Sequence, residues 1–254
     1  MLKASSMKVA KKNLEMKVCG RHACLKIFQK RPKDIIRAYL TQEEVVNYKH
    51  LMKFLADHKL AYHVVEKSEL DSITSASHHE NICLVVKTRK NPELKDILQE
   101  GGRSLIICLE EVENPHNLGA ILRSAAHFGV RAVLYQAKVP VANTSSAIRT
   151  AEGGAEAVAA IQVTDWSHVF DQARRFGYES FATSSHQGHS LYQTNFPEKC
   201  LLFLGAEKEG LSKMILKKVN HPLCIPGTGE VESLNVSNAA TVILSEWYRQ
   251  GLFN

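Results

Sequence analysis

Three short stretches of this 254-residue chain set glycines beside polar side chains at spacings that suit a ligand site. The most distinctive lies near the C-terminus. A short apolar run, His221 to Ile225, ends in Pro226-Gly227-Thr228-Gly229, and Ser233-Leu234-Asn235 then leads into a helical pattern. Val236, Ala239, Ala240, Ile243, Leu244 and Trp247 recur at three- and four-residue steps and make one apolar helix face. Glycines let backbone approach a ligand, and the free N–H groups of a helix start offer hydrogen bonds. Such a loop suits a nucleotide-like ligand, although a plain strand–turn–helix corner uses similar residues.

The second stretch is Leu204-Gly205-Ala206-Glu207-Lys208-Glu209-Gly210-Leu211-Ser212. A buried-type strand ends in glycine, and an acid, a second glycine and a helix start follow. In open α/β sheets, ligands bind outside the carboxyl ends of strands, where Glu207 could accept hydrogen bonds from hydroxyl or amide donors. The third runs from Asn117 to Gly129. Leu118, Ile121, Leu122, Ala125 and Phe128 form its apolar stripe, and Asn117 is placed to cap the helix. Arg123 lies off the stripe, four residues after Gly119, so the two share a face. The missing side chain at Gly119 is expected to leave room for a group to lie against the guanidinium.

The elements that must position these residues alternate. From Val18 to Val86 the spacing predicts helix over 20–29, strand over 33–40, helix over 43–58, strand over 62–65, helix over 70–76 and strand over 82–86. Polar residues 87–102, with Pro92 and Gly101-Gly102, read as a linker that is helical over 92–99. The second block predicts strands over 104–109, 131–135, 179–183, 200–204 and 221–225, with 110–116 a loop. Helices are expected over 117–128, 144–151, 212–219 and after Asp165, which caps a helix reaching Phe176. Alternating strands and helices imply α/β with a mostly parallel sheet, preceded by a small α/β domain. The expected divisions are a basic arm (1–13), the small domain (14–88), the linker (89–102) and the larger domain (103–254).

The net charge of +6 is unevenly spread: residues 1–33 hold ten Lys and Arg against Glu15 alone, leaving 22 bases and 25 acids in the remainder. A basic arm favours polyanions, RNA foremost. No apolar run approaches the length of a membrane span, and no secretory leader is evident. The six cysteines are scattered without a CxxC, which suits a reducing, cytoplasmic compartment. His186 and His189 have ligand-like spacing but no third partner nearby, so no metal is expected.

Taken together, the block 104–249 resembles the SpoU/TrmH family of RNA ribose 2′-O-methyltransferases. The pattern N-x-G-x-x-x-R ending in F-G is matched by Asn117, Gly119, Arg123, Phe128 and Gly129. G-x-E-x-x-G-L-S is matched by Gly205, Glu207, Gly210, Leu211 and Ser212, and I-P followed by S-L-N-V-S by Ile225, Pro226 and 233–237. Glu246 matches the family's late acid. Residues 18–86 resemble, more weakly, the substrate-binding domain often fused in front, with His79-Glu80-Asn81-Ile82 where a His-Gln-Gly-Val-like step is usual.

The resemblance implies a trefoil-knotted C-terminal domain that holds S-adenosyl-L-methionine in the knot, an exception to the rule that chains avoid knots. It implies rRNA or tRNA as substrate and a homodimer whose final helices pack together. Leu204, Gly205, Ile225, Gly229, Leu234 and Asn235 are then expected at the cofactor, and Asn117, Arg123, Glu207, Ser233 and Asn235 around the reacting hydroxyl. A competing reading keeps the fold and the RNA but not turnover, as a silent RNA-binding or ribosome-associated protein. A base methyltransferase is a weaker third.

Overall fold

The computed structural model describes residues 15–138, 141–184, 188–206 and 209–252. The first part of the chain runs β1 (Glu15–Cys19), α1 (Arg21–Lys30), β2 (Ile35–Leu40), α2 (Gln42–Val45), α3 (Lys49–Asp57), β3 (Ala61–Val64), α4 (Lys67–Thr74) and β4 (Ile82–Lys87). Its four strands form one sheet in the order β1-β4-β2-β3. β4 pairs antiparallel with both neighbours, and β3 joins β2 in parallel at the edge. Val18, Ile35, Leu40, Ile82, Leu84 and Val86 turn one face of this sheet onto Ile27, Leu51 and Leu55 of the helices. β1 is a strand that the sequence pattern does not announce; it exists through its ladder to β4, a partner more than sixty residues away. The helix expected over 43–58 is two helices. Its break falls at 46–48, where the buried Glu44 is taken up by Arg21 and by the Asn47 amide.

The larger part continues with α5 (Leu94–Gln99), β5 (Ser104–Glu110), α6 (Pro115–His127), β6 (Ala132–Gln136), α7 (Ser145–Thr150), α8 (Gly154–Ala157), β7 (Ala159–Gln162), α9 (Trp166–Arg175) and β8 (Glu179–Thr183). It ends with β9 (His189–Ser190), β10 (Lys199–Leu204), α10 (Lys213–Lys218), β11 (His221–Cys224) and α11 (Val236–Gly251). Seven strands line up as β7-β6-β5-β10-β8-β11-β9, and every described pairing is parallel. β5 is buried along its whole length because both sheet faces are covered, as parallel sheets require. Leu105, Ile107 and Leu109 face α6 and α11, while Ile106 and Cys108 face α9 and α5. α5 therefore packs on the sheet through Ile97 and Leu98.

From β5 the chain builds outward to β6 and β7. β10, β8 and β11 lie on the other side. The direction of building thus reverses between β5 and β10, and the loops after these two strands flank a topological switch point, where α/β sheets bind ligands. The two parts of the chain share packing: Ile148 of α7 is buried in the core of the small sheet.

Candidate active site

α6 starts one turn earlier than its apolar stripe suggests. Asn114, not Asn117, is the N-cap: its side chain accepts from the His116 N–H at 2.9 Å, with Pro115 as the first helical residue. That frees Asn117, in the first turn, to reach the C-terminal stretch. Asn235 caps α11 by accepting from the Ser237 N–H at 2.9 Å and the Ser237 hydroxyl at 2.6 Å. Its Nδ2 donates to Asn117 Oδ1 at 3.2 Å. Two stretches separated by more than a hundred residues thereby meet at the N-terminal ends of two packed helices. The same side of α6 carries Ser124, whose hydroxyl lies 2.7 Å from that of Thr241.

Arg123 takes another direction. At about 100° per residue it sits roughly 120° around α6 from Asn117. Its guanidinium pairs with Glu152 at 2.9 Å, and both side chains are exposed (59% and 42%). The space below it is not open. A Cβ on Gly119 would lie 2.6 Å from the Ala147 carbonyl oxygen and 2.6 Å from Thr150 Cβ, so the glycine admits α7 rather than a ligand. The gap expected there is corrected accordingly. Gly154 does the same from the other side, its Cα facing the backbone of Leu122 and Arg123. His116 bridges to α7 as well, its ring lying 3.1 Å from the Ser146 hydroxyl and 3.3 Å from that of Thr150.

The loop after β10 closes on itself. The Gly210 N–H donates to the Ala206 carbonyl at 2.9 Å, and a Cβ on Gly205 would come within 2.2 Å of the Gly210 carbonyl carbon. Only glycine fits. Glu207 lies outside the described residues. Leu204 is buried at the end of its strand, and Ile225 packs partly against the same core. Beyond Ile225 the chain is exposed as far as Asn235, with Gly229 at φ +88° and Leu234 44% exposed.

Three residues outside the three stretches hold this arrangement. Glu110, at the end of β5, is buried and accepts the Ser212 N–H at 2.6 Å, so it ties the second stretch to the central strand. The sequence pattern predicts a loop from this residue on; its signal is an acid directly after six strand residues. Glu152 pairs with Arg123 from a left-handed backbone, φ +44°. Glu246, on the buried side of α11, is held at a pKa of about 2 chiefly by hydrogen bonds from Arg249 and, after those, from Gln250.

Residues 104–245 match a family model described as the SpoU rRNA methylase family, and residues 17–92 match one described as RNA 2′-O ribose methyltransferase substrate binding. An uncharacterized tRNA/rRNA methyltransferase of Escherichia coli O157:H7 is 40% identical over 93% of this chain, which spans 68% of that relative's length. The 23S rRNA (guanosine-2′-O-)-methyltransferase RlmB of Neisseria meningitidis serogroup B is 27% identical over 92% of this chain and 94% of its own. The SpoU methyltransferase AviRb of Streptomyces viridochromogenes, solved with AdoMet, shares the fold at a TM-score of 0.80. It is 22% identical, over 95% of this chain and 92% of its own.

Proposed function

The chain belongs to the SpoU rRNA methylase family, and from that premise we propose that it methylates a ribose 2′-hydroxyl of rRNA or tRNA, with S-adenosylmethionine as donor. The observation that carries this reading is the Asn117–Asn235 hydrogen bond, which brings the first and third stretches together at the ends of α6 and α11. The residues at hand fit the donor. Gly227 and Gly229 have open space where a Cβ would stand, so backbone there can approach a ligand. Ile225 and Leu234 offer apolar surface beside it, and Leu204 ends β10 and Gly205 follows it, with β8 between that strand and β11. When bound, S-adenosylmethionine supplies an intrinsically electrophilic methyl group; placement and charge handling fall to the protein.

A guanidinium stays charged in proteins, so Arg123 is no general base. In this reading it binds the phosphate next to the target ribose, that phosphate takes the hydroxyl proton, and the guanidinium stabilises the alkoxide that develops there. Asn117, Ser233, Asn235 and Glu207 fix the hydroxyl by hydrogen bonds. Arg123 is turned away from its own Asn117, so a homodimer would present it to the loops of a second copy, with Tyr248 and Leu252, exposed on and just after α11, covered at the contact. The trefoil knot implied by the resemblance is part of the same proposal. So are the domain divisions at 13, 88 and 102. Among the described residues no helix is long and apolar enough to cross a membrane. The free cysteines and an RNA substrate support a cytoplasmic setting.

The test is calorimetric titration with S-adenosylmethionine, then labelled-methyl transfer to total RNA from cells lacking the gene. Binding with label at ribose 2′-oxygens is the expected result. Binding of RNA without transfer would replace this reading with the silent one.

A further inference from the structure

A cleft of about 500 Å3 opens between the two parts of the chain, bordered by the 77–81 turn and Lys67 on one side and by Arg149, Thr150 and Glu152 on the other. We propose that this cleft seats the RNA nucleotide adjoining the one that is methylated, with Lys67, His78 and Arg149 meeting its phosphate and base. The proposal rests on the reading of the chain as an RNA methyltransferase, and adds to it a place and three side chains.

Position is the first argument. Glu152 lines the cleft, and its carboxylate pairs with Arg123 at 2.9 Å. The guanidinium assigned to the target nucleotide therefore stands one side chain from the cleft wall, on the face of α6 that turns this way. A strand held at Arg123 passes directly into the cleft with its next residue. The volume suits one nucleotide, since small-ligand clefts occupy about 300–1,000 Å3.

Chemistry is the second. Both carboxylates that line the cleft already have partners. Glu80 accepts the Arg21 N–H at 2.6 Å and so caps α1, and Glu152 is paired with Arg123. The buried His79 ring bonds Asp71 at 2.9 Å and accepts from the Asn81 N–H at 3.0 Å. The Lys67 ammonium and the His78 ring are exposed and make no hydrogen bond or ion pair among the described residues. Arg149 fixes the width by donating across the cleft to the His78 carbonyl at 3.0 Å.

Backbone strain is the third. Among the described residues six non-glycines have positive φ, and three of them, Glu80 (+50°), Asn81 (+61°) and Glu152 (+44°), line this cleft. Left-handed backbone under a side chain is costly and gathers at ligand clamps. A turn locked in that state offers its groups to a ligand without further ordering.

The experiment uses the full chain, with unmodified rRNA and tRNA transcribed in vitro as the probes. Lys67→Ala, His78→Ala and the double variant are compared with Lys53→Ala, which removes the same charge from the exposed side of α3. The double variant is expected to weaken RNA binding at least fivefold and leave S-adenosylmethionine affinity unchanged. Its log affinity against log salt should flatten by about 0.7, the contribution of one single-strand phosphate contact, whereas Lys67→Arg should keep the wild-type slope. RNA affinity and salt slope equal to wild type, or an equal loss in Lys53→Ala, would overturn the assignment to the cleft while leaving the methyltransferase reading intact. A wild-type chain that neither binds nor methylates RNA would overturn that reading itself.

Discussion

The Arg31 guanidinium, at the end of α1, meets the Glu156 carboxylate on α8 through two parallel hydrogen bonds of 2.8 and 2.9 Å. The side chains are only 12% and 8% exposed, and the residues lie 125 positions apart. Arg31 also donates to the Lys87 carbonyl at 2.7 Å, at the end of β4. One side chain thus joins the last strand of the small sheet to the segment that packs against the arginine-bearing helix.

Removing one partner of that pair strands the other. Glu156→Ala leaves Arg31 with Asp34 at 3.3 Å and the Lys87 carbonyl. Breaking a fully buried pair costs about 3–5 kcal/mol, and with these remaining partners about 1–3 kcal/mol is expected. Urea unfolding measures it. A double change, Arg31→Met with Glu156→Leu, should cost less than the sum of the singles, as coupled neighbours do. Strict additivity would show that the pair does not couple the two parts.

Gly119→Ala places a methyl group 2.6 Å from the Ala147 carbonyl oxygen and the Thr150 side chain. The first of these is backbone and cannot rotate away, so α6 and α7 must separate. Overpacking of this kind costs about 1–3 kcal/mol. Arg123 rides on α6 and Glu152 follows α7, so methyl transfer should fall well beyond the loss of stability. A variant as stable and active as wild type would show that the helices have slack at this contact.

Much of the fold was legible because burial follows period. The stripe of Leu118, Ile121, Leu122 and Ala125 is fully buried, and β5 alternates its core contacts residue by residue. Local capping was legible at Asp165, which accepts from a helix N–H; the caps at Ser212 and Asn235 show only in the structure. What escaped depends on distant partners. β7, Ala-Ala-Ile-Gln, has little strand propensity of its own and is made by its ladder to β6. The cap of α6 was misplaced by three residues although Pro115 at the first helical position marks it.

At the site, the Asn117–Asn235 encounter was legible as a convergence of patterns, whereas Glu110 and Glu152 were not. Glu110 earns its place only from the loop after β10, more than a hundred residues on. Glu152 acts from a left-handed backbone that no residue type announces. The departure at Glu80-Asn81 has a physical account too. Asparagine tolerates the positive φ that glycine would take there, and Glu80 gains a helix cap.

Glu246 sets an acid dependence of stability. Its folded pKa is about 2, against an ordinary value of 4.5. Between these values the unfolded chain binds more protons than the folded one, so stability rises with pH. The contribution is complete above about pH 4.5 and is lost as pH falls towards 2. Glu246→Gln should therefore be less stable than wild type at pH 7, and the gap should close across that window. Denaturant titrations at intervals of pH measure it; an equal gap at pH 3 and pH 7 would refute the linkage.

Arg123→Lys keeps a positive charge but loses the planar fork that grips a phosphate. Arg123 is exposed and, among the described residues, pairs with a half-exposed acid, so neither Arg123→Lys nor Arg123→Ala should cost more than about 1 kcal/mol of stability. Turnover is expected to fall about a hundredfold or more in the alanine variant, less in the lysine one, with cofactor affinity unchanged. If both variants turn over normally, Arg123 has no part in the chemistry.

Asn235 does two jobs with one amide, and a single substitution separates them. Its Oδ1 caps α11 through the Ser237 N–H, while its Nδ2 donates to Asn117. Aspartate caps a helix as well as asparagine does, and a carboxylate at a helix N-terminus is favoured by the dipole. Asn235→Asp should therefore unfold within about 0.5 kcal/mol of wild type, whereas Asn235→Ala should lose about 1 kcal/mol. The aspartate cannot donate, so Asn117 Oδ1 loses this partner and faces an anion instead. Methyl transfer should drop at least tenfold in Asn235→Asp despite the intact helix. Activity that follows stability across the two variants, high in aspartate and low in alanine, would reduce Asn235 to a cap and remove the contact on which the convergence of the two stretches depends.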